Sequence, residues 1–91
     1  MSYKKERLES SLREAISQHL QRHSYADGVL VTILGVSVDD RFYKARVIVA
    51  VYPDAKRNEV LMELNKQSPK IRYAVMKKST IGTMPKVVVF E

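Results

Sequence analysis

The side chains in this sequence with the most chemistry to offer are cations. Lys66, Lys70, Arg72, Lys77 and Lys78 fall in one short stretch, with Lys56 and Arg57 shortly before it, and from Asn65 to Phe90 every charged residue is positive. A solvated helix face ordinarily mixes both signs. A one-signed stretch suits phosphate instead, because each Lys or Arg that neutralises a phosphate releases counterions and adds salt-sensitive affinity. The cations cannot all share a face, since Lys77 and Lys78 stand about 100° apart on a helix. Lys4, Lys5 and Arg7 form a smaller cluster, interrupted by Glu6, that reads as a solvated chain start.

Other chemistry finds little support. There is no Gly-rich phosphate loop, no strand-to-helix nucleophile elbow and no helical metal motif. His19 and His23 have the i, i+4 spacing of some zinc sites, but no acidic or sulfur ligand follows at a fixed distance. Asp39 and Asp40 are adjacent carboxylates in a turn, where such residues are usually turn formers facing solvent. No catalytic residue, metal site or cofactor is expected, and the chain reads as a binding protein and not an enzyme.

The elements that must position the cations follow from periodicity. Leu8, Leu12, Ala15, Ile16 and Leu20 recur at intervals of three and four, which predicts an amphipathic helix from Lys4 to about His23. Glu9 and Arg13 stand in the favourable order for a surface ion pair along it. Ser24-Tyr25-Ala26-Asp27-Gly28 is turn chemistry, with Gly28 able to take positive φ. Val29 to Val38 reads as a strand, but Ile33 falls on the opposite face from Val36 and Val38 unless a one-residue bulge near Gly35 brings them together.

Asp39-Asp40-Arg41 then turns the chain into a second strand, Phe42 to Tyr52, with Ala45, Val47, Val49 and Val51 on one face. The short connection predicts an antiparallel hairpin. On the other face Arg46 and Tyr52 either cover the sheet or offer stacking groups. Pro53 stops the strand, and Asp54 is the candidate N-cap of a helix carrying Val60, Leu61 and Leu64. At Gln67-Ser68-Pro69 the pattern breaks and restarts with Ile71, Ala74 and Val75, with Ser68 placed to cap and Pro69 to open a new helix. After Pro85 the run Val87-Val88-Val89-Phe90 is a strand apolar on both faces.

The order is helix, strand, strand, helix, kink, helix, strand, which predicts one α+β domain over residues 1–91, with helices on one face of a three-stranded sheet. Ninety-one residues hold a single core. The chain is 45% hydrophobic and 29% charged, which lies within the range of folded globular domains and away from that of disordered chains. It has no cysteine, no signal-like start and no apolar run of membrane-spanning length, so a cytoplasmic protein without a membrane segment is expected. Sixteen Lys and Arg against ten Asp and Glu leave a net charge of +6, which favours a polyanionic partner such as nucleic acid.

Leu12-Arg13-Glu14-Ala15-Ile16-Ser17 through Leu20, Leu30-Val31-Thr32-Ile33 with Val36, Ala45-Arg46-Val47 through Val51, Leu64-Asn65-Lys66 with Ile71-Arg72, and Pro85 with the strand after it together resemble the ribosome-binding factor A family. Each motif is modestly specific; their order and spacing carry the match over nearly the whole chain. The resemblance implies a type II KH-like fold and a non-catalytic assembly factor. Such a factor binds the small ribosomal subunit or its precursor through 16S rRNA and aids maturation of the rRNA 5′ region, notably in the cold.

The family's small-residue Ala-x-Gly kink falls here on Gln67, Ser68 and Pro69. Pro69 offers no backbone N–H and sets a ring where glycine would allow close approach. The resemblance therefore places RNA binding on Lys66, Gln67, Ser68, Lys70, Arg72, Lys77 and Lys78, with the weight on the Lys66, Lys70 and Arg72 side chains. Asp39-Asp40-Arg41 stands where the family's hairpin usually carries Ser-x-Asp, and family members commonly continue into a tail beyond the position of Glu91. A monomer is expected. Two other readings fit the same residues: a general KH-like binder of single-stranded RNA, and a protein-interaction module that adds a partner strand to an exposed sheet edge, for which the apolar third strand is the candidate.

Overall fold

A computed structural model describes residues 3–22, 28–78 and 84–91 of the chain. Helix α1 spans Tyr3–Gln21, strands β1 and β2 span Leu30–Val38 and Lys44–Tyr52, helices α2 and α3 span Arg57–Lys66 and Ser68–Lys78, and strand β3 spans Val87–Phe90. The expected order of elements is the observed one. His23, the turn residues Ser24 to Asp27 and the segment from Ser79 to Thr83 lie outside the described residues.

The three strands form one mixed sheet in the order β1-β2-β3, with β1 antiparallel and β3 parallel to the central β2. The helices cover one of its faces: α1 packs on β1 and α3, and α3 and α2 pack on β3. Between them lies one apolar core. Leu8, Leu12, Ile16 and Leu20 come from α1, Ile33 and Val38 from β1, and Ala45, Val47 and Val49 from β2. Val60 and Leu64 of α2, Ile71 and Val75 of α3, and Val88 and Phe90 of β3 complete it. Each fully buried leucine or isoleucine of this set contributes about 1.5–3 kcal/mol relative to the exposed side chain. That is why the three-and-four spacing of α1 fixes which side faces the sheet.

The bulge demanded by the β1 pattern is present. Ile33 pairs with Val49 and Gly35 with Ile48, so Leu34 is the extra residue. Beyond it Val36 and Val38, opposite Val47 and Ala45, turn to the same face as Ile33. Gly28, at φ 80°, takes the left-handed conformation open to glycine before β1 begins.

The β1–β2 turn is organised by Asp39, whose Oδ1 accepts the N–H groups of Tyr43 at 2.7 Å and Lys44 at 3.1 Å. These two bonds hold its carboxyl below the usual carboxylate range. Phe42 takes a left-handed φ of 58°, unusual for a bulky residue, while its ring packs against the core. Strand β2 therefore starts at Lys44 and not at Phe42. Lys5 closes on Asp40 at 3.0 Å and ties α1 to this turn.

Three local expectations are corrected. Glu9 accepts the Val38 N–H at 2.8 Å, capping the open edge of β1 where a surface pair with Arg13 was expected. Asp54 makes no side-chain cap; it opens a single 3-10 turn, Asp54–Lys56, and α2 begins at Arg57 behind it. Ser68 is the first residue of α3 and not its cap. The Gln67 carbonyl accepts the Ile71 N–H at 2.9 Å, the bond that opens α3.

Because Asp39 is stabilised as the carboxylate in the fold, its contribution is complete above its unfolded pKa near about 3.9 and is lost as pH falls through the lower folded value. Asp39→Asn is expected to lower the urea midpoint at neutral pH. It should also flatten the fall in midpoint between about pH 5 and pH 2.5 relative to the unsubstituted chain. Parallel urea titrations across that range check both effects.

Candidate nucleic-acid interface

The cationic stretch is positioned by one tight junction. The Gln67 N–H closes α2 on the Glu63 carbonyl at 3.0 Å, and the Gln67 carbonyl opens α3, so a single residue separates the helices. Pro69 falls in the first turn of α3, where its missing N–H has no intrahelical partner to lose. Val60 and Leu64 before the junction, and Ile71 and Val75 after it, are buried and lock both helices onto the core.

The same junction closes the outer edge of the sheet. Val87 at the start of β3 and Glu91 just past its end bond toward β2, through Val87 N–H to Tyr43 O beside β2, Glu91 N–H to Val47 O and Val49 N–H to Glu91 O. Val88 and Phe90 therefore direct their backbone groups away from β2, toward the helices. There the Asn65 amide makes a double contact with Phe90, donating to its carbonyl at 2.9 Å and accepting its N–H at 2.8 Å. The Ser68 hydroxyl donates to the Val88 carbonyl, and Arg72 Nε donates to the Pro85 carbonyl at 2.5 Å. Three of the four outward-facing backbone groups of Val88 and Phe90 are thus already taken, which leaves little edge for strand addition.

Beside this tie runs an open groove of about 510 Å³. Asn65, Ser68, Pro69 and Arg72 of the helices line it together with Lys86 and Val87 to Val89 of the third strand and its approach. Its walls are largely apolar, and both of its charged residues, Arg72 and Lys86, are positive. Lys66 and Lys70 are exposed and flank it in sequence on either side of the junction.

The residues singled out in the sequence divide sharply. Lys66, Lys70 and Lys77 are exposed. Ser68 is only 7% exposed, and its hydroxyl is committed to Val88. Gln67 is half-buried, with its side-chain amide donating to Glu63. Arg72 has one nitrogen bound to Pro85 while it also lines the groove. Lys77 holds its ammonium 5.4 Å from the centre of the Tyr73 ring, an exposed contact worth about 0.5–1 kcal/mol. The side chain of Lys78 is outside the described part.

On the other face of the sheet Arg46 is ion-paired with Glu91, raising its pKa and lowering that of Glu91. Tyr52 there is 68% exposed. Asn65 and Lys86 were missed as groove residues. Lys86 belongs to the one-signed stretch and could have been included on charge alone; Asn65 lies inside one of the family motifs.

Helices on one face of a mixed sheet, with a positively charged groove between a helix–helix junction and the third strand, define a KH-like α+β protein. The sequence matches the ribosome-binding factor A family over residues 4–91, and the chain belongs to that family. Among curated proteins none matches the chain.

Solved structures agree on the fold. The crystal structure of ribosome-binding factor A from Thermus thermophilus is similar at a TM-score of 0.80 and 19% identity, over 96% of this chain and 92% of that one. A homology model of the Thermus thermophilus protein fitted into a cryo-EM map of a 30S–RbfA complex gives 0.77 and 18%, over 92% and 89%. The solution structure of a Thermotoga maritima protein, a candidate ribosome binding factor A, gives 0.77 and 23%, over 100% and 88%.

Removing the Asn65 amide strands a backbone donor and acceptor on Phe90, each costly to leave unmade. Asn65→Ala is expected to cost about 1–3 kcal/mol in urea denaturation. Lys70→Ala should stay within about 0.5 kcal/mol.

Proposed function

We propose that the protein binds the small ribosomal subunit or its precursor as an assembly factor, docking the groove at the α2–α3 junction on folded 16S rRNA. The observation that carries this reading is the charge of that surface. Arg72 and Lys86 line the groove, exposed Lys66 and Lys70 flank it, and no acidic residue occurs between Asn65 and Phe90. Phosphate contacts by these side chains supply salt-sensitive affinity and orientation, and groove shape supplies selectivity. Membership of the ribosome-binding factor A family supports the ribosomal target. So does the fold shared with the protein fitted into the 30S complex.

In this reading the protein works in the cytoplasm without catalysis, aids maturation of the rRNA 5′ region and matters most in the cold. Among the described residues no helix is long and apolar enough to cross a membrane, and no cluster of three or more His, Cys, Asp or Glu is placed to hold a metal. RNA contact falls to exposed Lys66, Lys70, Lys77 and Lys86 and to the outward end of Arg72. Ser68 and Gln67 shape the junction that presents them.

A charge-removal variant tests the site, and the structure dictates its composition. Arg72 is excluded because its Nε bond to Pro85 supports the fold. Lys66→Ala, Lys70→Ala and Lys86→Ala combined should leave thermal unfolding nearly unchanged while weakening co-sedimentation with small subunits at least about tenfold at 0.1 M salt. The log–log salt slope should fall by about one for each phosphate left without its lysine. A folded triple variant that sediments like the unsubstituted protein would overturn the assignment.

A further inference from the structure

Helix α3 carries a feature that phosphate binding alone leaves unused. Its buried side holds Ile71 and Val75, and its solvent side holds Lys70, Tyr73 and Lys77. The spacing of three and then four residues puts these three in one row along the helix. Tyr73 is 53% exposed, and it follows groove-lining Pro69 by one helical turn. An aromatic ring held in water between two lysines contributes little to the core, and the Lys77 ammonium lies over its face.

Resting on the RNA-docking reading above, we propose that Tyr73 is a stacking platform for one unpaired nucleotide of the bound RNA, with Lys70 and Lys77 taking the phosphates on either side. The chemistry suits that ligand better than the alternatives. Every nucleobase presents a π-face to an aromatic ring, and stacking tolerates sequence. A phosphate backbone runs beside the base, so cations are needed one helical turn before and after the ring, where Lys70 and Lys77 stand. A purely apolar protein partner would leave both lysines desolvated and unpaired.

The weak exposed contact between Lys77 and the ring is readily exchanged. The ammonium moves to a phosphate while the base takes its place over the ring. Because Tyr73 stands one helical turn beyond groove-lining Pro69 on α3, an RNA strand leaving the groove along the helix meets the ring next. The bound element is therefore a helix–loop boundary or bulge, with paired RNA at the groove and an unstacked base at Tyr73.

The test compares Tyr73→Phe and Tyr73→Leu with the unsubstituted protein and with the triple lysine variant. Small ribosomal subunits from the host and a short RNA hairpin bearing 2-aminopurine as a bulged nucleotide serve as probes. Circular dichroism confirms that each variant is folded. Tyr73→Leu is expected to weaken subunit binding about 5- to 30-fold with an unchanged salt slope, because stacking releases no counterions. Tyr73→Phe should stay within about twofold, since the ring is retained. The 2-aminopurine signal should be quenched at saturation by the unsubstituted protein and Tyr73→Phe, and not by Tyr73→Leu.

If Tyr73→Leu binds as tightly as the unsubstituted protein while the triple lysine variant is weak, the stacking role is overturned and the docking reading stands. If Tyr73→Phe is as weak as Tyr73→Leu, the hydroxyl and not the ring is at work, and the stacking role is again overturned. If neither Tyr73→Leu nor the triple lysine variant differs from the unsubstituted protein, both readings fall together.

Discussion

The structure turns on how a four-residue strand is held at the edge of a sheet. Strand β3 is parallel to β2 and short, so it gains few ladder bonds, and the groups of Val88 and Phe90 that face away from β2 must find partners elsewhere. Asn65 supplies two of them and Ser68 a third, while Arg72 secures Pro85 at the entry to the strand. All three side chains come from within one helical turn or so of the α2–α3 junction. The junction and the strand therefore fix each other, and the groove between them is a consequence of that tie. Unmade, such bonds would cost about 1–3 kcal/mol each, a large share of what a small domain has to spare.

The same economy separates polar work from charge. The side chains that close the edge are an amide, a hydroxyl and one nitrogen of a guanidinium, so the lysines around them remain in water with their full charge outward. Most acidic residues with identified work are elsewhere: Glu9 caps the β1 edge, Asp39 organises the hairpin turn, Asp40 meets Lys5, and Glu91 meets Arg46, while Glu63 at the junction is engaged by the Gln67 amide. The groove itself, lined by Arg72 and Lys86 and by no acidic side chain, can take a phosphate without an internal competitor. Its selectivity must then come from geometry, since lysine contacts to phosphate carry no sequence information.

Much of this was legible in the sequence, and the part that was not has a common cause. The phase mismatch between Ile33 and Val36 with Val38 demanded a bulge, and Leu34 is that bulge, because burying one face leaves no other solution. The break at Gln67-Ser68-Pro69 announced the junction. The abundance of cations announced the surface. What periodicity could not show was direction: Ser68 and Arg72 look like ligands for an anion, yet their partners are carbonyls of Val88 and Pro85, residues distant along the chain. The apolar third strand looked open to a partner, yet three of the outward backbone groups of Val88 and Phe90 are already bonded by Asn65 and Ser68. Tyr73 escaped notice because helical spacing identifies the buried row, Ile71 and Val75, and says nothing about what an exposed aromatic is for.

Lysine footprinting tests the central claim most directly. The protein, free and bound to small ribosomal subunits of its host at low salt, is treated briefly with an amine-reactive reagent, and modification is read residue by residue by mass spectrometry. The account requires protection of Lys66, Lys70, Lys77 and Lys86, with Lys4 and Lys56 modified as fast in the complex as in the free protein. Protection of Lys4, Lys44 or Lys56 with Lys66, Lys70 and Lys86 still fully reactive would place the contact on another surface and contradict the account.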